Sequence, residues 1–131
     1  VEFIQRMTDM GILVGLFAFT PVKGTRLENL PQPPIDMYRR VQLARYLILN
    51  RMTRMTEMEF SDDGKIISFG IDTAVLRKVI ESGEPFRTSG CPHCNRPFYN
   101  ESPRGPLYNY PYPPTRQDII TIKKELGLGI I

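Results

Sequence analysis

Apolar residues recur at helical spacing in four parts of the chain, and each of these parts predicts an amphipathic helix. In chain order they are residues 1–10, 36–50, 73–82 and 115–128. Asp36 and Asp72 are good N-cap residues for the second and third helices. Thr115 and Asp118 have the spacing of a capping box for the fourth helix, and Gly83 is a typical stop for the third. We therefore expect four helices.

Apolar runs between these helices predict strands. Ile12–Phe19 is nearly continuous, as in a strand that is covered on both faces of a parallel sheet. Ile66–Ile71 is a second run, and the turn residues Ser61–Gly64 before it make a hairpin possible. Pro85–Ser89 is a short third one. Strands that alternate with helices predict an α/β fold, and their spacing of roughly 30–45 residues is that of βα units in a barrel.

Three βα units do not close a (β/α) barrel of eight, so the expected fold is a partial barrel. A three-stranded parallel sheet would leave two open edges. The 131 residues are then a single partial domain, which also begins inside a helical pattern at Val1. We expect a missing N-terminal half, or a second copy in a homo-oligomer, to cover the edges.

Composition and charge change this picture little. The content of 41% hydrophobic and 24% charged residues is ordinary for a soluble globular protein, and a net charge of +3 does not call for nucleic acid. The run Gly11–Thr20 is too short to span a bilayer. Two close cysteines form no disulfide framework, which favours the cytoplasm. The second helix and the residues after it carry arginines that we interpret as a solvated face, namely Arg39, Arg40, Arg45, Arg51 and Arg54.

The candidate chemistry is concentrated in the motif Cys91-Pro92-His93-Cys94, which holds both cysteines and the one histidine. The two thiolates could hold a metal ion or a cluster, form a redox disulfide, or be plain buried thiols. A tetrahedral zinc site needs about four ligands, and His93 is poorly placed between the cysteines. The pair is thus at most half of a site. Residues 95–114 after it form a loop rich in Pro, Tyr and Asn, which we expect to pack onto the barrel.

Three further segments resemble biotin synthase, a radical S-adenosylmethionine (SAM) enzyme. Val22-Lys23-Gly24-Thr25-Arg26-Leu27 resembles one of its loops, and a helix with Val41-Gln42-Leu43-Ala44-Arg45 follows in the same order. Lys123-Lys124-Glu125-Leu126-Gly127-Leu128 looks like the last helix of the family, which leaves residues 115–131 as a C-terminal helix and tail. The run Gly90–Pro97 also resembles biotin synthase-like proteins, including the two-subunit lipoyl synthases.

This resemblance implies the last three βα units of a radical SAM, TIM-like barrel, in which SAM binds at the carboxyl ends of the strands. The residues that match the SAM side are Thr20, Val22, Lys23, Gly24 and Thr25. Cys91 and Cys94 would help to hold an auxiliary iron–sulfur cluster, of the kind that donates sulfur in the sulfur-inserting members. The family's C-x3-C-x2-C motif, which holds the [4Fe–4S] cluster, is absent from the 131 residues. The resemblance thus implies part of a transferase that is inactive alone.

In the whole enzyme, SAM would be cleaved to a 5′-deoxyadenosyl radical, and the substrate would be a small-molecule or protein-bound cofactor precursor. The catalytic residues are not indicated. A second hypothesis is a non-enzymatic module whose C-x-x-C pair binds zinc or an iron–sulfur cluster at a dimer or partner interface, where two copies supply four thiolates. A thiol redox protein is a third hypothesis.

Overall fold

The computed structural model describes residues 1–89 and 105–129, which form four helices and a two-stranded antiparallel sheet. The helices are α1 (Glu2–Asp9), α2 (Ile35–Leu49), α3 (Thr73–Ser82) and α4 (Arg116–Leu126). The strands are β1 (Glu59–Phe60) and β2 (Ile66–Ser68). Short 3₁₀ turns lie at Met55–Glu57 and Glu84–Phe86. The prediction of four helices is confirmed.

Local capping residues set the ends of α3 and α4 as predicted. The Asp72 carboxylate accepts a hydrogen bond from the Ala74 amide at 2.8 Å, and α3 ends at Gly83, which has a φ of 73°. Thr115 and Asp118 form a reciprocal capping box at the start of α4, with the Asp118 amide donating to the Thr115 hydroxyl. These bonds satisfy amide groups that the first turn of a helix leaves unpaired.

The hydrophobic core is built around α2, which packs against α1, α4 and the Glu84–Phe86 turn. One side of α2 buries a continuous stripe of apolar side chains, and α3 and α4 each bury two positions one helical turn apart. The fully or nearly fully buried members of this core include Leu43, Ala44, Leu47, Ile48, Ile66, Phe69, Leu76, Ile80, Phe86, Tyr110, Ile122 and Leu126.

The predicted α/β fold, a partial (β/α) barrel of three βα units, is wrong. Ile12–Phe19 is not a strand, and within the described residues the one sheet is the β1–β2 hairpin. The third candidate, Pro85–Ser89, lies partly in a 3₁₀ turn and forms a single parallel bridge, between Arg87 and Tyr110. The described part of the chain is therefore mostly helical.

A tight turn explains why the second predicted strand does not join the first. The Gly64 amide donates to the Ser61 carbonyl, and the Ser61 amide donates to the Lys65 carbonyl, both at 2.9 Å. Gly64 has a φ of 81°, which glycine adopts without strain. The turn thus joins β2 to β1 across a very short loop, whereas Ile12–Phe19 lies about 50 residues away and costs more loop-closure entropy. The hairpin that the sequence allowed is confirmed.

The arginines of α2 do not form the solvated face that we expected. Arg39 has an exposed fraction of 0% and Arg40 of 5%, and Arg45 is partly buried. The start of the helix also differs, because α2 begins after Pro34 and Asp36 lies in its first turn, where it pairs with Lys65 at 2.6 Å. The cations thus point into the protein, where they need acceptors.

Arg39 finds its acceptors in α4 and in the Pro/Tyr-rich segment after residue 104. Its Nε atom donates to a Glu125 carboxylate oxygen at 2.7 Å. Its Nη atoms donate to the backbone carbonyls of Leu107 and Tyr108 and to the side-chain oxygen of Gln42. This cluster of hydrogen bonds holds the segment against α2. We had expected the segment to pack onto a barrel, and that expectation is wrong.

Aromatic rings complete the surroundings of Arg39. Its guanidinium carbon lies 5.4 Å from the Tyr110 ring centroid and 5.8 Å from that of Phe86. Burial raises the pKa of Tyr110 to about 12. Tyr108 packs edge-on against Tyr38, with ring centroids 5.1 Å apart. The cation is therefore enclosed by rings and carbonyl oxygens together.

Replacing Arg39 with Met should lower the free energy of unfolding by about 3–5 kcal/mol, because the change leaves Glu125 and the Leu107 carbonyl without their donor and removes one of the two donors to the Tyr108 carbonyl. Urea denaturation followed by circular dichroism measures the effect. Arg6→Met, at an exposed position on α1, is the matched control and should change stability by less than about 0.5 kcal/mol. Equal effects of the two substitutions would show that the Arg39 cluster does not stabilise the fold.

Candidate functional site

The predicted metal ligands, Cys91 and Cys94, lie outside the described residues, and so does His93. Residues 1–89 and 105–129 contain no group of three His, Cys, Asp or Glu side chains that could hold a metal ion. The described part of the site is therefore the segment 12–30, which contains the predicted cofactor residues, together with what it contacts.

Ser89 binds the backbone of the apolar run Ile12–Phe19. The Leu16 amide donates to the Ser89 hydroxyl oxygen at 2.7 Å, and the Ser89 hydroxyl donates to the Leu16 carbonyl at 3.3 Å. Gly15 lies beside this contact, and a Cβ atom there would lie 3.4 Å from the Ser89 carbonyl oxygen, an ordinary contact distance. Ser89 precedes Cys91 by two residues. The chain leading into the cysteine motif is thus fixed against the run that leads to Thr20.

Arg45 on α2 holds the same run from a second side. Its Nε atom donates to the Val14 carbonyl at 2.6 Å. Burial lowers the pKa of the Arg45 guanidinium, with a smaller opposing effect from Tyr38. Sequence reasoning missed Arg45 and Ser89 as site residues, because both act on backbone atoms and such contacts leave no pattern in the sequence.

The Thr20 side chain ends in a buried hydroxyl that lacks a hydrogen-bond partner among the described residues. Buried polar atoms in proteins are paired in the large majority of cases, and each exception calls for an explanation. Thr20 lies between the fixed run and the loop that contains the other four predicted cofactor residues. It is therefore the one predicted site residue whose surroundings in the described chain leave a polar group unsatisfied.

The loop after Thr20 is a tight turn that is closed by its own side chains. The Thr25 hydroxyl donates to the Val22 carbonyl at 2.7 Å, and the Gly24 amide donates to the Glu28 carboxylate at 2.6 Å. Gly24 has a φ of 86°, and a Cβ atom there would meet nothing within 4 Å. Gly24 is thus needed for its backbone conformation and not for a close approach.

The loop side chains face solvent. Val22 is 58% exposed, and Lys23, Gly24 and Thr25 are exposed as well. Glu28, which sequence reasoning also missed, occupies the Gly24 amide with a negative charge. An external anion would have to displace that carboxylate before it could use this amide. Lys23 adds a positive charge to the loop, which favours a ligand that carries an anionic group.

Large apolar side chains are exposed on both sides of Thr20. Before it, Leu13 is 75% exposed and Ile12 and Phe19 are exposed to a lesser degree. After it, Leu27 and Leu30 are each about half exposed. Apolar side chains gathered in one segment are typical of a surface that contacts another molecule. The segment thus combines such side chains with one unsatisfied hydroxyl.

Comparison of the chain with models of protein families, with curated proteins and with solved structures found no match. Within residues 1–89 and 105–129, no helix is long and apolar enough to cross a membrane.

Replacing Ser89 with Ala should release the run Ile12–Phe19 from the segment that leads to the cysteines, because the substitution removes both bonds to Leu16. Hydrogen exchange of the Leu16 amide, measured by NMR, should become about fivefold or more faster, as the loss of a hydrogen bond worth about 1 kcal/mol predicts. Ser82→Ala at the end of α3 is the matched control and should leave the Leu16 amide unchanged. An unchanged exchange rate in Ser89→Ala would contradict this role of Ser89.

Proposed function

We propose that this chain is part of a radical SAM, sulfur-inserting enzyme similar to biotin synthase, with Thr20–Thr25 on the SAM side and Cys91 and Cys94 as cluster ligands. The sequence has two cysteines, so the three of a C-x3-C-x2-C motif would come from another segment or from a partner chain. The single observation that supports the proposal most is the buried, unpaired hydroxyl of Thr20.

The hydroxyl supports a ligand site because of what an unpaired buried group costs. A hydroxyl that is removed from water without a partner costs about 1–3 kcal/mol. A ligand with a hydrogen-bonding heterocycle, such as the adenine of SAM, would recover that energy if it reached Thr20. The resemblance of the loop Val22–Leu27 also implies that Thr20, just before it, lies on the SAM side. Two separate lines of argument thus lead to the same residue.

The loop fits such a ligand in part. Lys23 is exposed and suits a carboxylate, but the Gly24 amide is already used by Glu28. We therefore propose that the loop contributes the Thr20 hydroxyl and the Lys23 charge, and that Gly24 serves only to shape the turn. The exposed Val22 side chain would then contact the ligand, and the Thr25 hydroxyl would close the turn.

The cysteine pair fits the second half of the proposal by its chemistry. Thiolates are the usual ligands of iron–sulfur clusters, and two of them need further ligands from elsewhere. Ser89 lies against Leu16, so a cluster held by Cys91 would lie near the run that leads to Thr20. When bound, SAM and the clusters would supply the radical and the sulfur atom. A reducing cytoplasm, where free thiols persist, suits this chemistry.

Replacing Thr20 with Val removes the hydroxyl at nearly constant shape, and it should weaken SAM binding by about five- to tenfold because one hydrogen bond is lost. The measurement is isothermal titration of SAM into the gene product as encoded, purified without oxygen. Thr121→Val, at an exposed position on α4, is the control and should bind as the wild type does. SAM affinity that is equal in both variants and the wild type would remove Thr20 from the site.

The Cys91→Ala/Cys94→Ala double variant should lose the iron of one cluster relative to the wild type, as measured by mass spectrometry on anaerobically purified protein. His93→Ala changes a neighbouring residue in the same motif and should retain all the iron. Equal iron in all three proteins would rule out the cluster. Cysteine-dependent zinc at about one ion per two chains would instead favour a non-enzymatic zinc module that closes its site across a dimer.

A further inference from the structure

A cavity of about 260 Å³ lies between α1, α2 and the hairpin, away from the loop at Thr20. Its wall is mostly apolar and includes two thioethers and one aromatic ring. The apolar side chains that form it include Met37, Val41, Met55, Phe60 and Ile66, and Arg40 is also part of the wall. Such a combination of apolar walls and a few polar groups is typical of a small-molecule site.

Arg40 is buried in an unusual state. Its Nη1 atom donates to the Ile66 carbonyl and its Nη2 atom to the Leu126 carbonyl, each at 2.6 Å. Its Nε atom has no hydrogen-bond partner among the described residues. Arg40 is nevertheless buried, with an exposed fraction of 5%. An N–H group of a cation that lacks an acceptor in the interior costs more than a neutral one.

The charge of Arg40 is also not neutralised by direct contact. No carboxylate of the described chain lies within ion-pair distance of its guanidinium. Asp36, one turn earlier on α2, pairs with Lys65 instead. Burial lowers the pKa of Arg40, and Asp36 opposes this effect only from a distance. Glu2, which also lines the cavity, is exposed to solvent. The cavity thus contains a buried positive charge that lacks a contacting anion.

We propose that this cavity binds a small aliphatic carboxylate, with the carboxylate accepting a hydrogen bond from Arg40 Nε and the aliphatic chain lying against Met37, Val41 and Met55. The carboxylate supplies the acceptor and the negative charge that Arg40 lacks, and the apolar wall suits the chain. Charge-assisted bonds of this kind are stronger than neutral ones. The site is independent of the proposed function, because it uses neither the Thr20 loop nor the cysteines.

The test is a titration of the gene product, free of SAM and iron, with hexanoate and separately with 1-hexanol, followed through the methyl signals of its labelled methionines. Hexanoate should shift the Met37 and Met55 signals and saturate at a concentration about tenfold or more below that of hexanol, because only hexanoate offers an anionic acceptor. The Met10 signal, from an exposed residue, should not move in either titration.

Two variants separate the site from the stability of the fold. Val41→Phe fills the cavity while it leaves Arg40 in place, and it should abolish the hexanoate shifts. Val75→Phe, at an exposed position on α3, should leave them unchanged. Equal responses to hexanoate and hexanol, or no saturable shift because an ordered water alone satisfies Arg40, would overturn the proposal. So would hexanoate shifts that persist in Val41→Phe.

Discussion

A guanidinium that is taken out of water must find acceptors for its N–H groups, and Arg39 finds them in three separate parts of the chain. Its partners are the Glu125 carboxylate on α4, the Gln42 side chain on α2, and the backbone carbonyls of Leu107 and Tyr108. Because the geometry of these donors is planar and rigid, the three parts can meet in only a narrow range of arrangements. Together with the apolar core, this one cation fixes the positions of α4 and of the Pro/Tyr-rich segment relative to α2.

The ends of α3 and α4 were predictable because the signals that begin and end these helices are local. Asp72 and Thr115 accept bonds from amides two or three residues later, and Gly83 adopts a left-handed conformation that glycine reaches without strain. The strands were not predictable in the same way. A strand needs a partner strand. The short turn at Ser61–Gly64 brings β1 next to β2, whereas the run Ile12–Phe19 pairs with no strand of the described chain. A short apolar run by itself does not determine which of these outcomes occurs.

The candidate site was predictable only where the residues themselves carry the signal. The cysteine motif and the loop at Val22–Leu27 stand out as sequence, and the resemblance drew attention to Thr20. The burial of Arg39 and Arg40 did not stand out, because arginine is usually exposed unless it is paired. Its acceptors here include backbone carbonyls, which every residue has. The contacts of Ser89 and Arg45 were not predictable for the same reason, because each side chain binds the backbone of the run that precedes Thr20.

The distance along the chain between α2 and α4 has a consequence for the protein during its synthesis. Arg39 and its partner Glu125 are separated by 86 residues, and so are Arg40 and Leu126. At about 5–20 residues per second, the ribosome needs roughly 4–17 s to produce that stretch. Until then the cations and the apolar face of α2 lack these partners. The buried contacts of α2 can therefore be completed only after almost the whole of this sequence has been made.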